Sequence, residues 1–174
     1  MNKIHLINDL NFKEEKNDIL KILHDNFLYG FNNISYAICN INSKSNIAFS
    51  TNKNFINDYI KKNWIEIDTV DIFESNMIKK SSHEIACYEE IHGISRNGEK
   101  MRENRASFGM KNGGMEYFVL NEKISISIYY HTYIIDFDFT DTYIRKNFYF
   151  NKLRENLIKS SQKYIDSIYK TQEN

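Results

Sequence analysis

"MEYFVLNEKISISIYY", residues 115 to 130, decides the fold. It holds two runs rich in β-branched and aromatic residues, 115–120 and 124–130, separated only by Asn121, Glu122 and Lys123. Three residues cannot make the crossover that parallel strands need, so the runs must pair antiparallel as a hairpin. In the second run Ser125 and Ser127 alternate with Ile124, Ile126 and Ile128, which puts both hydroxyls on one face of the strand.

The same pattern recurs upstream. "ISYAICNI", residues 34–41, alternates Ile34, Tyr36 and Ile38 against Ser35, Ala37 and Cys39, and the polar turn "NSKS" leads into a second short apolar run, "NIAFS". A second hairpin is expected there. Ahead of it, Ile19, Ile22, Leu23 and Phe27 repeat at helical spacing, with Gly30 placed to end that helix. Thr51 is positioned to cap the next helix, in which Phe55, Ile56, Tyr59 and Ile60 form one stripe. From 71 to 108 the pattern is broken by Ser81, Ser82, Gly93 and Gly98 into short helices joined by turns, and Gly109, Gly113 and Gly114 close that section. Residues 142–170 read as one long helix, with Phe150, Leu153, Leu157, Tyr164 and Ile168 along its apolar stripe. Helices flanking short antiparallel strands imply an α+β sandwich with a mixed or antiparallel sheet. At 174 residues the chain is expected to form a single domain, 1–174.

Composition narrows the function. Basic and acidic residues number 23 each, for a formal net charge of zero, which argues against broad phosphate neutralisation and direct nucleic-acid contact. Twelve Tyr, twelve Phe and a 41% hydrophobic share predict a folded, aromatic interior. The two cysteines, Cys39 and Cys87, fit no disulfide framework, as expected of reduced cytoplasmic thiols. The amino terminus meets Asp9 before any apolar signal core builds, and no stretch holds eighteen uninterrupted apolar residues, so no membrane span is expected.

Enzyme motifs are missing. There is no GxSxG elbow, Walker loop or GxGxxG turn, and "HEIAC" at 83–87 lacks the second histidine of a zinc protease helix. A zinc site from His83, Cys87 and His92 lacks motif spacing, and "DFDFTD" lacks the glycine and glutamate of a calcium loop. Neither metal nor cofactor is expected. "SSHE" offers Ser81 and Glu84 as a capping box around His83. Asp68, next to Ile67 and close to Val70, must be paired, solvated or protonated, because an unpaired buried carboxylate is too costly. It has two local readings: an N-cap, with Asp71 in the first turn, or an acceptor in a binding site.

Phe55, Tyr59, Trp64, Asp68, His83 and Gly109 fall at intervals that resemble the autoinducer-binding domain of LuxR-type quorum-sensing transcription factors. In that family a helix carries a Trp and, four residues on, a Tyr, with an Asp nine residues after the Tyr; Tyr59 and Asp68 keep that interval. "SSHE" resembles the family's Ser-Trp-acid setting, and "FGMKNGGMEYFV" its glycine-bounded entry to a strand. The resemblance spans roughly residues 10 to 165. It implies a five-stranded antiparallel sheet between helices, enclosing an acyl-homoserine lactone or related acyl amide, with Asp68 accepting the ligand amide N–H and Tyr59 donating to the acyl carbonyl. Ser125 or Ser127 would add a hydroxyl, and Phe55, Trp64, Val70, His83 and Tyr36 complete the expected ligand-binding set.

The departures are specific. Phe55 stands where the family has the Trp whose indole binds the lactone carbonyl, and a phenyl ring has no donor. Thr51, His83 and Thr69 replace a tyrosine, a second aromatic and a proline. The family continues into a helix-turn-helix domain, whereas this sequence stops at "DSIYKTQEN", so it is expected to be either an excised sensor or a short form. The implied function is a non-enzymatic sensing domain that couples signal binding to folding and to homodimerisation, or to heterodimerisation with a LuxR-type regulator. The alternative is a ligand-independent dimerisation module or truncated antagonist.

Overall fold

The computed structural model of the chain describes residues 3–5, 12–27, 30–42, 45–64, 82–92 and 96–170. The elements in order are β1 (Lys3–His5), α1 (Lys13–His24), β2 (Phe31–Asn40), β3 (Ser45–Ser50), α2 (Lys53–Lys61), β4 (His83–Cys87), α3 (Tyr88–His92), α4 (Arg96–Ser107), β5 (Asn112–Asn121), β6 (Ile124–Thr132), α5 (Phe139–Arg145), α6 (Asn147–Ser160) and α7 (Gln162–Lys170). Five strands form an antiparallel sheet in the order β3-β2-β6-β5-β4, and the short β1 adds to the β3 edge in parallel. Both expected hairpins are present, with Tyr36 opposite Phe49 in one and Tyr117 opposite Ser127 in the other.

The two faces of this sheet differ in kind. One carries Ile34, Tyr36, Ile38, Phe49, Phe118, Ile124, Ile126, Ile128 and Tyr130 and packs against α1, α5, α6 and α7. Ile19 and Leu23 of α1 lie there one turn apart with no exposure, and Phe150, Leu153 and Leu157 of α6 and Tyr164 and Ile165 of α7 join them. Full burial of each such aliphatic side chain contributes roughly 1.5–3 kcal/mol. The other face carries Ser35, Ala37, Ser125, Ser127, Met115 and Tyr117, with α2, α3 and α4 on that side.

A polar hub sits within the first, apolar face. Glu116 of β5 is fully buried and accepts from Tyr143 Oη at 2.9 Å and Tyr130 Oη at 3.4 Å; His83 Nε2 lies 2.9 Å away and Arg154 donates to the same carboxylate. The Arg154 guanidinium also stands 5.7 Å above the Phe118 ring, a cation–π arrangement. Burial and then the Glu116 charge push both Tyr130 and Tyr143 well above the ordinary phenol range, which keeps them as proton donors to the carboxylate.

Several expectations are corrected. His83–Cys87 is a strand paired with β5, so no helix starts there for a capping box around His83 to cap. Five residues are too short for periodicity to separate helix from strand, and pairing with Gly114–Phe118 decides it. Helix α1 ends at His24, with Asp25 as its C-cap, and Gly30, at φ 88°, serves the turn into β2 instead. The cap of α2 is Asn52, whose side chain accepts from Phe55 N at 3.0 Å. The expected long helix over 142–170 is three helices, interrupted at Lys146 and Ser161. At Ser161 the cause is visible: its hydroxyl bonds back to Leu157 O at 2.8 Å while Tyr36 Oη lies 2.8 Å from it, and such side-chain bonding to the preceding turn bends helices.

Candidate functional site

The second face is built around the attachment of α2. Asn33 of β2 is buried, and its Oδ1 accepts from Asn52 N at 2.9 Å, from Ser50 Oγ at 3.2 Å and from Thr51 Oγ1. One amide oxygen thus gathers the end of β3 and the start of α2. Thr51 spends its remaining capacity on β2, accepting from Ile34 N at 3.1 Å, which is why Asn52 and not Thr51 caps the helix. Asn33→Ala should strand these donors and cost about 1–3 kcal/mol in urea denaturation, whereas Asn33→Asp, which keeps an acceptor, should cost less.

From this anchor α2 sends Phe55 toward the sheet. Phe55 is 5% exposed, with its ring 6.0 Å from His131, 5.6 Å from Phe108 and 5.8 Å from Tyr59. His131 of β6 is itself buried, and its Nδ1 lies 3.0 Å from Tyr88 Oη of α3. The guanidinium of Arg105, on α4, lies 5.3 Å over the Tyr88 ring. Phe55 and Tyr59 share a helix face, as their four-residue spacing predicts.

Below this roof the sheet narrows to small side chains. Ser50 pairs with Ser35, Ala48 with Ala37, Ala37 with Ser127, and Cys39 with Ser125, so three neighbouring strands present short residues in register. Ser125 and Ser127 are almost fully buried on it. Toward β4 the same face fills with Met115, Tyr117 and Ala86, against Tyr88 and Ile91 of α3. A trough of short side chains and hydroxyls beside bulky aromatic walls can hold an elongated, mostly apolar molecule with a few polar atoms.

Solved structures share this arrangement. SdiA of Escherichia coli superposes with a TM-score of 0.60 at 13% identity, over 86% of this chain and 63% of the SdiA chain. The VqsR LBD domain of Pseudomonas aeruginosa gives 0.54 at 11% identity, over 87% of this chain and 99% of that one. CepR2 of Burkholderia cenocepacia, described as an N-acylhomoserine lactone dependent LuxR family transcription factor, gives 0.50 at 12% identity, over 83% and 93%. The fold is that of LuxR-type autoinducer-binding domains. No family model and no curated protein matches the sequence itself. The chain spans less than two thirds of SdiA.

Within the LuxR-type fold the expected site residues divide. Phe55, Tyr59, Ser125 and Ser127 belong to the small-residue face or to the helix above it. Tyr36 does not: it is fully buried on the opposite face, its ring 6.1 Å from Phe49 and its hydroxyl on Ser161. His83 also turns the other way, to Glu116. Asp68 and Val70 lie outside the described residues. Trp64 follows α2 just past Asn63, whose φ of 52° is left-handed and turns the chain. Residues of this face that the sequence did not single out include Asn33, Tyr88 and His131. His131 was within reach of it, because extending the alternation of Ser125 and Ser127 by two steps arrives there.

Among the described residues, no group of three or more His, Cys, Asp or Glu could hold a metal ion, and no helix is long and apolar enough to cross a membrane.

Proposed function

We propose that this chain is a small-molecule-sensing regulatory domain that takes an acyl-homoserine lactone or related acyl amide into the layer between the sheet and α2, and couples occupancy to folding and dimerisation in the cytoplasm. The observation that carries the reading is the trough of Ala37, Ala48, Ser125 and Ser127 roofed by Phe55, in a LuxR-type fold. Short side chains there leave room for an acyl chain, and buried hydroxyls suit its polar atoms. In this reading Tyr59 donates to the acyl carbonyl and Asp68 accepts the amide N–H, as the chemistry of a phenol and a carboxylate allows.

A ligand enclosed in this layer stabilises the folded state by mass action, about 2.7 kcal/mol at a hundredfold excess over Kd. For a domain of this size that corresponds to a rise in melting temperature of roughly 5–10 °C. Thermal melting against a panel of acyl-homoserine lactones and simple acyl amides should show such a rise for at least one compound, and Asp68→Asn should abolish most of it. Uniformly flat melts across the panel would defeat the reading.

Exposed apolar side chains favour a second reading, a dimerisation module indifferent to ligand. Ile144 and Phe148, four residues apart across the α5–α6 junction, are 66% and 83% exposed. That reading expects a dimer whose melting no member of the panel alters.

A further inference from the structure

A cleft of about 550 Å³ lies between α1 and the α6–α7 bend, among the helices that cover the sheet face opposite the trough. Its two walls carry opposite charge. Glu15 and Asp18, three residues apart on one face of α1, supply carboxylates, while Lys159 and Lys163, four apart across the bend at Ser161, supply ammonium groups. One pair across the cleft is closed already: Glu15 is buried, and its carboxylate accepts from Lys163. The second pair is open. Asp18 and Lys159 line the same cleft, and among the described residues neither enters an ion pair. Ile22, four residues on from Asp18, gives the α1 wall an apolar patch, and Ser160, next to Lys159 in the chain, adds a hydroxyl to the other.

An anion alone would be repelled by the carboxylate wall and a cation alone by the ammonium wall, so the molecule that satisfies both carries one charge of each sign on a small frame. We propose that this cleft binds a free α-amino acid, with its ammonium group on Asp18, its carboxylate on Lys159 and the Ser160 hydroxyl, and its side chain along Ile22. An ammonium only donates and a carboxylate only accepts, so each end of the ligand finds its complement on one wall alone and the orientation is fixed. The volume falls within the range of small-molecule sites, about 300–1,000 Å³. This site is separate from the layer between the sheet and α2, and the inference stands whether or not a signal binds there. Occupancy ties α1 to the helix pair beside it, next to Ser161, whose hydroxyl meets Tyr36 of the sheet.

The test titrates the ¹⁵N-labelled full chain with glycine, L-serine, L-leucine and L-glutamine and follows the amide chemical shifts. At least one of the four should bind with a Kd below about 5 mM, and the shifts should centre on residues 15–22 and 156–163. For that amino acid, the N-acetyl derivative lacks the ammonium group and the α-carboxamide lacks the carboxylate, so each should bind at least about tenfold more weakly. Asp18→Asn and Lys159→Gln, both at exposed positions that the fold tolerates, should weaken binding of the free amino acid by a similar factor. The discrimination should divide between them: Asp18→Asn should no longer distinguish the free acid from its N-acetyl form, nor Lys159→Gln the free acid from its carboxamide. Binding weaker than about 5 mM for all four, shifts centred elsewhere, or equal affinity for an amino acid and its two blocked forms overturns the proposal.

Discussion

Arg154→Met should destabilise the protein by about 3 kcal/mol, read as a drop in the urea midpoint at unchanged slope. Glu116 has no exposed surface, and among the described residues Arg154 is its only guanidinium partner, with 20% of the Arg154 side chain still reaching solvent. Removing the cation leaves a carboxylate in an apolar layer with two tyrosine hydroxyls and a half-exposed histidine as company. The loss should fall at the lower end of the range for a broken buried pair, since those donors remain. The double replacement Glu116→Leu with Arg154→Met should recover much of the loss, because the charge and its partner then leave together. A single variant as stable as the parent would mean that the hub contributes no net stability.

Gly113→Ala should cost at least about 3 kcal/mol and strip the purified protein of cooperative melting if its reserve is small. The φ of Gly113 is 140°, a conformation L residues rarely adopt, and a Cβ placed there would overlap the carbonyl oxygen of Tyr130 on the paired strand. The obstacle is backbone within a central ladder, where Gly113 faces His131, so no side chain can swing aside to relieve it. Gly114 differs: its φ is not left-handed and its Cβ would meet the buried ring of Phe139, a side chain and not backbone. Gly114→Ala should therefore be the milder of the two, and a reversal of that order in thermal melting would contradict the steric assignment.

The hairpins were legible because alternation and short polar turns speak for themselves. "MEYFVL" and "ISISIYY" could pair in no other way, and Ile19 with Leu23 marked the buried side of α1. The edge strands were not legible. "HEIAC" and the three residues of β1 become strands only because β5 and β3 offer them a ladder, which is information held by distant parts of the chain. The division of the site was half legible. Ser35, Ala37 and Cys39 alternate with Ile34, Tyr36 and Ile38, and the small set lies with Ser125 and Ser127, so Tyr36 could have been assigned to the far face from pairing alone. His83 could not, because its direction depends on the strand register with Phe118. The break at Ser161 needed the hydroxyl of Tyr36, 125 residues away, and nothing local announces it.

Along β5, Met115 and Tyr117 look one way while Glu116 between them looks the other, tethered to both α5 and α6. The floor of the trough is thus bolted from beneath. A guest of unusual length or girth would find that floor unyielding, and any give would have to come from the lighter canopy of α2, α3 and α4 above.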